Sequence, residues 1–151
     1  MAIQTLFAPD AARYEGVRPI NIYGLRLFYL LMFVFVGFDS WSVLLTHGGA
    51  WDPMRAAAFC MFASYATLSG LGLLHPLRML PVMIFMIMYK LLWLGVVAFP
   101  LWQAGALAGS SAEGMARIFI WVPVPMLFVP WKYVFRTFVL PAGRALGWKA
   151  G

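Results

Sequence analysis

The chain has 151 residues, of which 64% are hydrophobic, 17% aromatic and only 11% charged, with a net charge of +6. A soluble domain is about half apolar and a quarter charged, so this composition excludes an ordinary soluble fold and predicts a membrane protein. Nor does the positive charge mark a nucleic-acid binder, because the cations flank apolar runs and form no separate basic domain.

Four apolar stretches approach the roughly 20 residues that cross about 30 Å of hydrocarbon as a helix. They cover approximately 23–45, 54–74, 80–99 and 116–133. The runs are continuous rather than alternating, which predicts helices and not a barrel. The expectation is an all-α integral membrane four-helix bundle: a lead-in over 1–21, a helical domain over 22–139 and an interfacial tail over 140–151. The first run begins late, is about twice the length of a signal core and has no small-residue cleavage pattern after it, so it is expected to stay attached.

The lead-in, MAIQTLFAPDAARYEGVRPIN, mixes Pro, Gly and charges and reads as a surface segment. Pro19 should prevent one helix from running through it into the first span. Within that span, VFVGFDSWSVLL carries Asp39 a few residues past the midpoint, with Ser40 and Ser42 beside it. The loop THGGAWDPM comes next, where Asp52 is a good N-cap and Pro53 fits the first helical position.

On the second helix Ala56, Cys60, Ala63, Thr67 and Gly70 step by four and three and are all small, a face that lets another helix approach closely. The neighbour is expected to be helix one or three, or else a second copy or another membrane protein. Cys60 is alone in the chain, so it is read as packing and not as a disulfide or metal ligand. GLGLLHPLRMLP then makes a tight turn at His75 and Pro76, which predicts an antiparallel hairpin of helices two and three.

The third helix places Met79, Met83, Met86, Lys90, Trp93 and Val97 on one stripe. The methionines are read as adaptable packing. Lys90 lies roughly 15 Å from either end of its span, too deep for its stem to reach headgroups readily, and a lysine there costs about 2.5–3.5 kcal/mol. It should therefore face protein or trapped water. Helices one and three cross in the same direction, which sets Asp39 about 8 Å above Lys90 and predicts an intramembrane salt bridge between them. The other readings are that Asp39 is wet near the outer interface, or pairs there with Arg55 or Arg117. Tyr65, Tyr89 and Trp93 are expected to pack as aromatics, with polar atoms free to serve this interior.

Beyond an Ala-, Gly- and Ser-rich loop over 103–115, expected to be flexible, Ser110 and Glu113 have the spacing of a capping box. The fourth helix should be broken, since VPVPMLFVP sets Pro123, Pro125 and Pro130 within a few turns. Such a segment survives at membrane depth only where other groups satisfy the freed carbonyls. The tail mixes Trp131, Tyr133 and Trp148 with cations.

With four spans, one side holds Arg13, Arg18, Arg26, Arg78, Lys132, Arg136, Arg144 and Lys149, against Arg55 and Arg117 on the other. The positive-inside rule then puts the N- and C-termini in the cytoplasm. No nucleophile elbow, phosphate-cradling glycine loop, metal cluster or haem motif is present, and His47 and His75 fall on opposite sides. This leans against an enzyme.

The segments GFDSWSVLLTHGGAWDPM, LGLLHPLRMLP, MYKLLWLGVVAFPLW and PWKYVFRTFVLP resemble a family of small, uncharacterised four-helix proteins of bacterial inner membranes, over about two thirds of the chain. In layout the chain is also similar to DoxX-like membrane proteins. The first resemblance implies a bacterial inner-membrane location and supplies no activity or catalytic residue.

The leading expectation is a non-enzymatic accessory or scaffold subunit, or a bundle that holds a hydrophobic ligand such as a lipid, in the bilayer, alone or with a membrane-protein partner or second copy. A small transporter or proton pathway is the first alternative. A membrane redox protein with quinone near Trp93 and Tyr89, which the DoxX-like layout implies, is the second.

Overall fold

The computed structural model describes Ala8 and residues 14–140. The rest of the expected lead-in, and the tail from residue 141 with Trp148, Arg144 and Lys149, lie outside the described residues. Three helices are long and apolar enough to cross a membrane: α1 (Pro19–Thr46), α2 (Pro53–Leu74) and α3 (Leu80–Gln103). A fourth passage consists of α4 (Glu113–Phe119) and α5 (Pro123–Phe128), then α6 (Trp131–Val139) after a 74° bend.

Helix starts obey local chemistry. Arg18 is extended, as a residue before proline should be, and Pro19 opens α1 where its missing N–H costs nothing. Asp52 caps α2 as expected, its Oδ1 accepting from the Arg55 N–H at 2.8 Å. The expected box at the fourth helix does not form. Ala112 occupies the cap position and α4 begins at Glu113, so Ser110 Oγ accepts from the Ala112 N–H at 3.3 Å instead. The Glu113 carboxylate reaches back to the Gly109 N–H at 2.8 Å and to Arg117 at 2.6 Å. Two left-handed glycines, Gly105 and Gly109, turn this loop, so it is drawn into hydrogen-bonded turns.

Neither α1 nor α3 is a plain α-helix. Met32–Val36 and Leu94–Ala98 are π-helical turns. Gly37 N–H reaches back five residues to Met32 O, and Phe99 N–H to Leu94 O. Each such turn inserts a residue and rotates the rest of its helix, and such turns are frequent at functional sites. Nothing in the residue pattern announces them.

Close approach joins α1 to α2. Gly37 lies 3.7 Å from the Ala66 methyl if given a Cβ, Gly70 meets the Phe33 ring, and Gly72 lies under the Tyr29 ring. Tyr29 is fully buried and donates its hydroxyl to Pro76 O at 3.2 Å, tying α1 to the α2–α3 turn. The α2–α3 hairpin is antiparallel, with Tyr65 against Phe85 and Tyr89. The core runs through Ile22, Leu25, Tyr29 and Met32 of α1, Tyr65 of α2, and Leu80, Met83, Met86 and Ile87 of α3.

The fourth passage closes one side. Phe119 packs on Tyr89 and Trp93, and Phe128 sits where a Cβ on Gly24 would be. The helix is interrupted by a turn over 120–122 just before Pro123, which opens α5, and the sharp bend falls at Val129, held extended by Pro130. The carbonyls freed there are met by side chains, Asn21 Nδ2 donating to Phe128 O at 2.9 Å and Trp131 Nε1 to Met126 O at 3.0 Å. This is the compensation that a proline-broken segment needs.

Only 22%, 28% and 22% of the most apolar window of α1, α2 and α3 is buried within the protein. Large side chains such as Phe38, Leu45 and Leu127 are more than three-quarters exposed. An apolar surface on that scale does not suit water.

Candidate functional site

The methionine stripe of α3 faces inward, as its spacing predicts. Met83 and Met86 are fully buried, and Lys90, one turn further, is half-buried. Lys90 lies where α3, the π turn of α1 and the α4–α5 passage meet. These elements enclose a groove of about 290 Å³, lined by Phe28, Leu31, Met32, Phe35, Val36, Met86, Lys90, Ile118, Trp121, Val122 and Pro125. Lys90 is its one charged lining residue among the described residues. Phe35, Ile118 and Trp121 are about two-thirds exposed, so the groove opens onto the apolar outer surface.

The amine makes no ion pair or hydrogen bond among the described residues; its Nζ stands over the Phe119 ring, 5.2 Å from the centroid. The expected salt bridge with Asp39 is therefore corrected. The ion pair among the described residues is the local Arg117–Glu113 contact on the outer face of α4. Depth is not the reason. Gly37 stands opposite Ala66, and Tyr65 opposite Tyr89, so Asp39 and Lys90 lie within about a turn of one level. The reason is angular: Gly37 and Ser40 face α2, which leaves Asp39 exposed, whereas Lys90 is held in the groove by Phe119. Ser42 is half-buried and gives its backbone carbonyl to Thr46 Oγ1, away from the amine.

Independence of the two residues can be measured. Asp39→Asn should leave stability within about 0.5 kcal/mol, and its effect should add to that of Lys90→Met within about the same margin. Chemical unfolding of the two single variants and the double variant in detergent tests this. A coupling above 1 kcal/mol, beyond the additivity of independent sites, would restore the ion pair.

The aromatic residues expected around the pair do meet. Tyr65 Oη and Tyr89 Oη are 3.1 Å apart, within a cluster that includes Phe62, Phe85 and Phe119. Trp93 stacks edge-on against Phe119, 5.2 Å between centroids. Phe119 thus touches Tyr89, Trp93 and the lysine, and positions the amine.

The small-residue face of α2 is used in part against α1. Gly70 meets Phe33, Thr67 Oγ1 accepts from Trp41 Nε1 at 3.1 Å, and Ala63 is buried. Cys60 is exposed and Ala56 half-buried. Burial on α2 takes in Tyr65, Ala66, Ser69 and Gly72 as well as Ala63, and the contacts with α1 fall at Ala66, Thr67, Gly70 and Gly72.

Sequence reasoning did not find Phe119, Trp121, Phe35 or Asn21 as functional or supporting groups. Only the return of the fourth passage across α1 and α3 brings them to the groove and to the broken carbonyl.

No family model, no curated protein and no solved structure matches the chain.

Proposed function

We propose that the chain is a multi-pass protein of a bacterial inner membrane, crossing it four times with the N- and C-termini in the cytoplasm, and that it binds a membrane-soluble molecule in the groove beside Lys90. Its role is non-enzymatic, as a carrier or an accessory bundle. The observation that carries this reading is a lysine amine without a polar partner among the described residues, in an apolar groove open toward the bilayer. An ammonium has three donors and no acceptor, and stranding them in hydrocarbon is costly. A ligand with an apolar body and one acceptor oxygen, the carbonyl of a quinone or the carboxylate of a fatty chain, relieves that cost and fills the groove.

The orientation has structural support as well. Arg18, Arg26, Arg78, Lys132 and Arg136 line clefts at the end formed by the start of α1, the α2–α3 turn and α6. Arg55 lies just past the loop at the other end, as Arg117 does. A bend of 74° turns α6 away from the direction of the span, as suits a helix lying at the interface with Trp131 and Tyr133.

Extraction of protein purified in mild detergent, with mass spectrometry of the extract, tests the binding reading. The expected result is one class of lipid-soluble molecule, near equimolar with wild type and lost from folded Lys90→Met. An identical molecular complement in both proteins, or none in wild type, overturns it.

A further inference from the structure

A second cavity has a different chemistry. It encloses about 650 Å³ between the start of α1 and α6, and its lining includes Arg18, Lys132 and Arg136. Lys132 and Arg136 are four residues apart on α6, where like charges repel. Arg18 approaches from the cap position of α1. Glu15, the one acidic lining residue among the described residues, is already engaged: Tyr133 Oη donates to its Oε2 at 2.9 Å.

The architecture keeps this convergence in place. Glu15 and Gly16 both have positive φ, 53° and 82°, in a turn closed by Val17 N–H to Tyr14 O at 2.9 Å. Glycine enters that region freely, but a glutamate does so at a cost that surrounding contacts must offset. Across the cleft, Asn21 and Trp131 are committed to the carbonyls of Phe128 and Met126, which fixes where α6 leaves the bend. Three exposed cations from two elements thereby line one cleft, with a single carboxylate beside them among the described residues. A bound anion would remove that imbalance.

We infer that this cleft is a binding site for a phosphate group, with Arg18, Lys132 and Arg136 as its ligands. Guanidinium groups match phosphate oxygens in a two-point fork, and lysine adds a point charge. The source is an anionic phospholipid headgroup, because α6 carries Trp131 and Tyr133 as an interfacial helix does and the cleft lies at that level. Such a lipid clamps the start of α1 to α6. The site is separate from the groove at Lys90 and shares no lining residue with it.

The test uses the full chain in nanodiscs of phosphatidylcholine with a small fraction of phosphatidylglycerol, and counts lipids retained by native mass spectrometry. Wild type should retain phosphatidylglycerol over phosphatidylcholine. The triple variant Arg18→Gln, Lys132→Gln, Arg136→Gln should lose roughly a hundredfold in that preference, as expected for three interfacial cations. Arg55→Gln with Arg117→Gln, at the other end, should retain it. Displacement of the lipid by millimolar inorganic phosphate would keep the phosphate site and assign it a soluble source. Should the triple variant fail to fold, Arg136→Gln alone should still lose roughly fivefold. Equal preference in wild type and the folded variants, or no preference in wild type, overturns the inference.

Discussion

Gly72→Ala should destabilise the bundle by about 2–4 kcal/mol, although alanine is the better helix former by about 1 kcal/mol. A Cβ at this position would lie 2.5 Å from the Tyr29 ring. Tyr29 cannot yield cheaply, because it is fully buried and its hydroxyl is bonded to Pro76 O. Overpacking costs about 1–3 kcal/mol, and a phenol pulled from its acceptor costs a similar amount again. Gly24→Ala presses on Phe128 in the same way, but Phe128 is half-buried and ends a short helix before a break, so its penalty should be smaller. Gly95, with open space around it, is the control; its alanine variant should be neutral or slightly stabilised. Denaturant titration in detergent micelles ranks the three. If Gly72→Ala unfolds at the Gly95→Ala midpoint, the close approach of α1 and α2 is not what holds the bundle.

Lys90→Met should raise the unfolding free energy of ligand-free protein by about 0.5–3 kcal/mol. An uncompensated lysine deep in an apolar helix costs about 2.5–3.5 kcal/mol, and the lost contact with Phe119 returns about 0.5–2 kcal/mol of that. An ion pair with Asp39 would give the opposite sign, since removing one buried partner strands the other. The sign of one measurement therefore separates an interior salt bridge from an amine waiting for a ligand. Gain of stability together with loss of the bound molecule is the pattern of a site kept for function against stability. A loss of stability would show that the amine has a structural partner.

Gly72 and Lys90 represent opposite kinds of contact. Lipid tails are as apolar as the side chains they meet, so burial gives helices in a bilayer little reason to associate; fit and hydrogen bonds supply it. Gly24 and Gly72 supply fit, and Asn21, Tyr29 and Trp41 supply hydrogen bonds between elements. The cation of Lys90 is the exception, a polar group whose complement the fold does not provide.

Periodicity and end chemistry made the helices legible. The bounds of α2 come from Asp52, Pro53 and the His75–Pro76 turn, and the inward face of α3 from steps of four and three through Met83, Met86 and Lys90, because these signals are local to one helix. Partner choice is not local. Asp39 and Lys90 stand near one level, yet the rotation of α1 turns the carboxylate outward, and such an angle depends on how α1 seats against α2. The same holds for Phe119 over the amine and for Asn21 on Phe128 O, which join residues far apart in the chain. Residue order settled composition, span and the cost of a deep lysine; only the packed chain decided what stands beside that lysine, because interhelical geometry is set by the shapes of all the contacting faces together.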